Sequence, residues 1–270
     1  MKHPENIDFD HNEPSAPPSF WLGLAEFRSI GGFIAGMMAY PWLRRLPRGD
    51  GHPVLVIPGF CGVDANTLPL RYFLRKQGYI PYGWGQGTNR GITDQTMIQM
   101  TRRIEEISKL NQKKVSVIGW SLGGVIAREA ARNNADLVRS VITLGSPLRG
   151  NHKATRAWNL YKLLNRKRLA IDLAPEAINQ RMQPLQVPIT SIYSRSDGIV
   201  AWPCSTVRKS KLAENIEVTC SHIGFGYDPQ VLYAIADRLA QPQDAWVPFH
   251  REGLRHRFFP YASGSMPEVA

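Results

Sequence analysis

The sequence predicts an α/β fold: a mostly parallel sheet with helices packed on both faces. Two observations carry that expectation. From residue 53 onward, short β-branched runs alternate with longer segments of helical character, and strands spaced by helices close into parallel sheets. The run 115–118 then stops at Gly119-Trp120-Ser121-Leu122-Gly123 and passes at once into a helix-like stretch, 122–133. So sharp a strand-to-helix turn strains its central residue, and small residues two positions to either side let the elements pack. The serine hydroxyl projects from the apex, where the helix dipole and free N–H groups also point.

The first 19 residues are polar, carry Pro4, Pro14, Pro17 and Pro18, and read as a flexible arm. They lack the basic start and small-residue cleavage site of a secretory signal, which favours a cytoplasmic location. Residues 20–52 form an apolar N-terminal segment that opens FWLGLAEFRSIGGFIAGMMAYPWL. Its uncharged part, 29–43, has only 15 residues and contains Pro41, which is short for a spanning helix. Gly32 and Gly36 form a GxxxG, a weak pattern by itself. Glu26, Arg28, Arg44 and Arg45 suit a segment lying at an interface. Helices docked on the domain's own core, peripheral contact at the inner face of a membrane, and a short span are all open readings.

Within 53–240 the expected strands are 54–57, 79–84, 115–118, 138–144, 189–193 and 216–219. Helices are expected over 68–77, 93–110, 122–133 and 229–239, the last with Pro229 in its first turn. The alternation breaks for about forty residues between Gly145-Ser146-Pro147 and Pro188. This insertion, 149–187, includes Trp158-Asn-Leu-Tyr-Lys-Leu-Leu164 and Asn165-Arg-Lys-Arg168, and from 149 to 186 eight Lys/Arg stand against Asp172 and Glu176. An insertion after a strand's carboxyl end is placed to overhang a site as a lid. It either covers an acyl-chain cleft and meets acidic headgroups, or is a solvated helical cap. Residues 241–270 show no clear period and read as an extension wrapping the surface.

At 270 residues and 43% hydrophobic content the chain can bury a full core. Its net charge of +11 favours anionic partners. No basic stripe interleaved with aromatics marks a nucleic-acid module, so an anionic membrane surface is the better candidate. Cys61, Cys204 and Cys220 lack metal-ligand spacing. They read as three reduced thiols, with a Cys204–Cys220 bridge as the competing possibility.

A serine hydroxyl is barely nucleophilic at neutral pH and needs a base with an orienting acid. Among seven histidines, His3, His11, His250 and His256 lie in the arm and tail. His52 precedes the first strand of the main sheet, and His152 opens the insertion. His222 lies just beyond a late strand, in a Gly-rich loop ahead of the final helix. Asp197 follows the strand 189–193, whereas Asp172 and Asp228 follow none. Ser121, Asp197 and His222 also stand in the chain order usual for this architecture. An oxyanion needs two backbone donors: Leu122 N–H at the helix start and Phe60 N–H in Ile57-Pro-Gly-Phe60-Cys-Gly62 are the candidates. Phe60 and Trp120 would wall the substrate.

These residues resemble the α/β-hydrolase superfamily, and within it bacterial carboxylesterases and lipases. The resemblance covers about 70% of the chain, 53–239. It is carried by Pro58-Gly59-Phe60, Gly119-Trp120-Ser121-Leu122-Gly123-Gly124, Gly145-Ser146-Pro147, Asp197-Gly-Ile-Val200 and His222-Ile-Gly224. It implies Ser121 as nucleophile, His222 as general base and Asp197 as its partner, acting on an ester without metal or organic cofactor. Many lipases carry His-Gly where this chain has Pro58-Gly59, and His or Tyr where it has Trp120; both leave the backbone donors in place. Acyl transfer or thioester hydrolysis by the same residues is a second possible activity. A non-catalytic, membrane-associated binding protein on the same fold is a third reading.

Overall fold

The computed structural model describes residues 17–149, 154–164, 183–252 and 255–260. Strands β1 (Pro53–Ile57), β2 (Ile80–Gly83), β3 (Val115–Trp120), β4 (Val138–Leu144), β5 (Ile189–Ser194) and β6 (Ala213–Val218) form one sheet. All pairings are parallel, in the order β2-β1-β3-β4-β5-β6. Helices α1 (Phe20–Leu24) and α2 (Ser29–Leu43) precede the sheet, and α3 (Leu68–Lys76), α4 (Asp94–Asn111) and α5 (Leu122–Asn133) connect its first strands. The insertion contributes α6 (Trp158–Leu164), and α7 (Pro229–Leu239) and α8 (Arg255–Phe258) follow β6.

Pleating sends alternate residues of β1 to opposite faces. Val54 and Val56 join Leu70, Phe73 and Leu74 of α3 and Val231, Leu232 and Ile235 of α7. Leu55 and Ile57 join Met100, Ile104 and Ile107 of α4 and Val125, Ile126 and Ala130 of α5. With both faces covered, β1 is apolar throughout and β3 nearly so, which is why they stand out in the sequence as short runs. Each fully buried aliphatic side chain stabilises this arrangement by about 1.5–3 kcal/mol. Local caps agree with the layers: Thr93 Oγ1 accepts from Thr96 N (2.9 Å) at the start of α4. At the start of α7, Asp228 Oδ1 accepts from Gln230 N (2.9 Å).

Two boundaries differ from expectation by more than one residue. β3 runs to Trp120, two residues past the expected 115–118, because Gly119 and Trp120 still pair with Thr143 and Leu144. β6 begins at Ala213, ahead of the expected 216–219. Two charges disguise it: Glu214 and Glu217 are buried, Glu214 accepting from Thr190 Oγ1 (2.6 Å) and Arg238 Nη1 (3.1 Å), and Glu217 from Tyr193 Oη (3.0 Å).

The N-terminal segment docks on the domain in an unusual way. The buried residues of α2 are Ser29, Gly36 and Leu43, seven apart, which is one stripe of a helix. A Cβ on Gly36 would collide with the Tyr227 carbonyl, so the GxxxG lets α2 lie tight against the turn before α7. Phe33 meets the Tyr227 ring edge-on at 5.3 Å. The bulky residues face outward: Trp21 and Phe27 are each 77% exposed, and Ile30, Ile34, Met37, Met38 and Trp42 are exposed too. Glu26 corrects its sequence reading as an interface charge: only 8% of it is exposed, and its carboxylate turns into the protein. Among the described residues no helix is long and apolar enough to cross a membrane. No disulfide joins Cys61, Cys204 or Cys220, so a Cys204–Cys220 bridge is not formed. Within the insertion, His152, the cluster 165–168, Asp172 and Glu176 lie outside the described residues.

Candidate active site

In an open parallel sheet, the crevice lies outside the carboxyl ends of the strands where their order reverses. Here that point falls between β1 and β3, and the strand ends deliver Phe60 and Ser121 to it. Ser121 has φ 54° and ψ −124°, a strained conformation for a residue with a side chain. Its neighbours explain how the strain is tolerated. A Cβ on Gly123 would stand 2.5 Å from the carbonyls of Ile57 and Pro58, and one on Gly59 would stand 3.2 Å from Ser121 Cβ. Gly119 and Gly124 are equally closed, against the backbone of α5 and the Ser146 hydroxyl. Ser121 N donates to Leu144 O (2.8 Å), pinning the turn to β4.

The loops after β5 and β6 bring Asp197 and His222 together. His222 Nδ1–H donates to Asp197 Oδ2 at 2.6 Å, with both side chains buried. The second oxygen, Asp197 Oδ1, accepts from Ile199 N and Val200 N, each at 2.8 Å, so the carboxylate cannot swing. Ser194 Oγ ties the two loops behind them, donating to Cys220 O (2.6 Å) and accepting from Ser196 N (3.1 Å). Burial alone would push the His222 imidazole pKa down; the carboxylates of Asp197 and Glu26 outweigh it and raise the pKa above its ordinary 6.5.

Two contacts fix this pair relative to the serine turn. Trp120 Nε1 donates to His222 O at 3.2 Å. Gly145, which follows the carbonyl that anchors Ser121, has φ 53° and leaves a gap that a Cβ would close to 2.9 Å from Asp197 Oδ2 and 2.5 Å from the Phe225 ring. Among the described residues the Ser121 hydroxyl makes no hydrogen bond; such bonds often close only around substrate.

The loop that carries Phe60 is stapled by a residue that sequence reasoning missed. Asn89 is fully buried; its Nδ2 donates to Pro58 O (2.8 Å), its carbonyl accepts from Cys61 N (2.8 Å), and its N–H donates to Gly62 O (2.8 Å). The signal was faint, a lone Asn inside Gly87-Thr-Asn-Arg-Gly91. Among the described residues, neither the Phe60 nor the Leu122 N–H donates to a backbone carbonyl. Over this loop lies α6, whose Tyr161 meets the Phe60 ring at 5.3 Å and stacks with Trp158 at 6.1 Å. The insertion's first described residues pair with the acid loop through Arg156 N to Ile199 O (2.9 Å) and Ala201 N to Ala154 O (3.0 Å).

A second Ser-His-Asp set sits at the opposite end of the same strand. His52 Nδ1 pairs with Asp50 Oδ1 (2.5 Å) and Nε2 with Ser116 Oγ (2.9 Å), while Arg139 holds the far oxygen of Asp50 (2.6 Å). His52 is fully buried, and its pKa is lowered to about 4, burial being the largest cause. It is a strut. Among the described residues no cluster of His, Cys, Asp and Glu could hold a metal ion.

Comparison with known proteins agrees with the architecture. Residues 52–183 match the family model described as alpha/beta hydrolase fold. Among solved structures, Aspergillus fumigatus lipase B superposes with a TM-score of 0.56 at 18% identity, over 74% of this chain and 55% of that one. This chain thus spans about half the length of that lipase. A monoacylglycerol lipase from Paleococcus ferrophilus gives 0.52 at 16% identity, over 72% of this chain and 95% of that one. Bacillus licheniformis lipase BlEst2 gives 0.52 at 15% identity, over 73% and 95%. No curated protein matches the sequence. The parallel sheet with its reversal between β1 and β3, the strained turn after β3 and the matched family model together show that this chain has the α/β-hydrolase fold.

Proposed function

We propose that the protein is a serine hydrolase that cleaves carboxylic esters through an acyl-serine intermediate. Ser121 attacks the ester carbonyl while His222 takes its proton, and Asp197 holds the Nδ1–H tautomer and stabilises the imidazolium. The Phe60 and Leu122 N–H groups receive the oxyanion; losing one such donor typically costs about 3–4 kcal/mol. His222 then protonates the departing alcohol, and a water that it activates releases the acid. Phe60, Trp120, Trp158 and Tyr161 offer an apolar wall for the acyl or alcohol part. The observation that carries this reading is the strained Ser121 standing on the same rim as a buried, hydrogen-bonded His222–Asp197 pair. No step calls for a metal or organic cofactor.

Reaction with a fluorophosphonate probe and turnover of p-nitrophenyl esters of graded chain length test it. Ser121→Ala is expected to abolish labelling and to lower kcat by roughly 10⁴–10⁶. Undiminished activity in that variant ends the assignment. A folded wild-type protein that refuses the probe favours a non-catalytic binding protein. Faster turnover of acyl thioesters than of esters favours a thioesterase, and transfer of the acyl group to an added alcohol favours an acyltransferase.

We also propose that the outward face of α1 and α2 docks on an anionic lipid surface. Between 17 and 49 the only acidic residue is the buried Glu26, whereas Arg28, Arg44, Arg45 and Arg48 are exposed. A face of bulky apolar side chains on a segment whose exposed charges are all cationic complements anionic headgroups, each cation near them being worth about 1 kcal/mol. Co-sedimentation should be strong with vesicles containing phosphatidylglycerol and weak with phosphatidylcholine alone, and Trp21→Ser with Phe27→Ser should reduce it. A dimer in solution that hides Trp21 and Phe27, or no preference for anionic vesicles, overturns the proposal.

A further inference from the structure

The apolar N-terminal run carries one carboxylate, and the fold buries it at the catalytic loops. Glu26 sits in the 3₁₀ turn Ala25–Arg28 that joins α1 to α2. Its Oε1 accepts from Gly198 N (2.8 Å) and His222 N (2.9 Å), and its Oε2 accepts from Ile223 N (3.0 Å). Gly198 directly follows Asp197, so a single side chain grips the backbone beside the acid and the backbone of the base. These loops lie 25 residues apart in sequence, and Glu26 is 196 residues from His222. We propose that Glu26 is a positioning residue for the His222–Asp197 pair, setting the spacing of the two loops and placing a negative charge behind the imidazole. This rests on the serine-hydrolase reading above.

Independent features of the same corner are arranged to admit it. A Cβ on Gly198 would collide with the Leu22 carbonyl and stand 2.9 Å from Glu26 Oε1, so the acid loop accepts this close approach only with glycine there. Arg28 adds a second strap, its Nη2 donating to Ser196 O at 2.6 Å. The three N–H groups that Glu26 receives belong to turns, where no strand or helix partner is available to replace it. The charge has a direct target. Asp197 and Glu26 are the carboxylates whose fields raise the His222 pKa, against the opposing effect of burial. The groups around them are Cys220, Tyr227, Asp228 and Arg28. Burial lifts the Cys220 thiol and the Tyr227 phenol above their ordinary values, so neither contributes charge near neutrality. A structural clamp alone would be blind to charge; this one is not.

The test is Glu26→Gln, which keeps the length of the side chain and removes its charge. Its amide oxygen can still accept from Gly198 and His222, while its NH₂ group faces the Ile223 N–H. We expect the acid limb of the kcat/KM–pH profile to move to lower pH by roughly half a unit or more. The His222 imidazole titration, followed by NMR without any substrate, should move the same way, and kcat should fall about tenfold with a smaller change in KM. Glu26→Asp restores the charge on a shorter arm and should bring the titration back towards wild type while kcat stays low. Should Glu26→Gln not fold, Gly198→Ala forces Leu22 and Glu26 away and should lower the titration in the same direction. A folded Glu26→Gln whose His222 titrates as in wild type overturns the proposal, and does so alone if the wild type is active and Ser121→Ala is dead. If the wild type shows no turnover yet its His222 titration falls in Glu26→Gln, the hydrolase reading fails and the clamp stands.

Discussion

His52 gives the most quantitative expectation for stability. Its imidazole is fully buried between Asp50 and Ser116, and its folded pKa is held down to about 4. Burial is the main cause; the Asp50 carboxylate opposes it, and the charges of Arg139 and Lys113 reinforce it. In the unfolded chain the same group titrates near 6.5. Between these values the unfolded chain binds a proton that the native protein refuses, so stability falls as the pH drops from 6.5 towards 4. Integrated from pH 7 to 4.5, the loss is about 2.5 kcal/mol, or roughly 5–10 °C in Tm for a chain of this size. Asp50, whose carboxyl is depressed by Arg139 and His52 in spite of partial burial, adds its own loss only once the pH falls below the ordinary carboxylate range. His222 runs the other way: its raised pKa contributes stability that is complete below 6.5 and is lost as the pH rises through its folded value. The comparison with His52→Gln removes the His222 term, because both proteins carry it. The variant should be less stable at pH 7, having lost the Asp50 bond, yet its Tm should fall less between pH 7 and 4.5 than that of the wild type. Thermal unfolding followed by circular dichroism at pH 7, 5.5 and 4.5 measures this. Parallel Tm–pH curves for the two proteins refute the reasoning.

Other perturbations probe the site. Asp197→Asn keeps the size of the side chain and frees the wrong imidazole tautomer, so kcat should fall about 10⁴-fold while the protein stays folded, as checked by ester turnover and circular dichroism. If His222 is the base as proposed, the wild-type kcat/KM–pH profile should show an acid limb above 6.5, because the base must lose its proton and its pKa is raised; a limb below 6.5 contradicts that assignment. Asn89→Ala leaves the buried Pro58 carbonyl without its Nδ2 partner. It should cost about 1–3 kcal/mol in a denaturant titration and lower kcat at least as much as KM changes, since it loosens the Phe60 loop. Gly124→Val places a side chain against the Ser146 hydroxyl and the Gly119 carbonyl and should abolish fluorophosphonate labelling, either by displacing Ser121 or by unfolding the turn.

Most of the sheet was legible because its inner strands are buried on both faces. That demand leaves short apolar runs such as Val54-Leu-Val-Ile57, and the helices between them carry periodic stripes. What escaped reading was burial of charge. Glu214 and Glu217 occupy β6 because Arg238, Thr190 and Tyr193 come to them across the fold, and no local pattern announces a partner so far along the chain. Glu26 escaped for the same reason. Beside Arg28 and Arg44 it looked like one more interface charge, yet its partners are backbone N–H groups 172 and 196 residues away. Its one sequence clue was solitude, a single acid in a long apolar run. The GxxxG of α2 was seen, but what it packs against depends on a carbonyl of Tyr227 far along the chain.

Residue type alone would not have found the candidate site either, since β3 carries a Ser-His-Asp set at each end. Ser116, His52 and Asp50 are bonded as closely as any catalytic set, at 2.9 and 2.5 Å. What separates the two is the direction of the sheet. At the amino end of β3 no helix begins, so no free N–H groups converge on Ser116, and burial drives His52 towards its neutral form with no room for a reactant. At the carboxyl end α5 starts at Leu122, the backbone is strained at Ser121, and two carboxylates raise the affinity of His222 for a proton. A base that is to take a proton from serine needs the second environment. The opposite pKa shifts of His52 and His222 therefore follow from placement, and titrating both histidines in one NMR experiment should show one moving below 6.5 and the other above it.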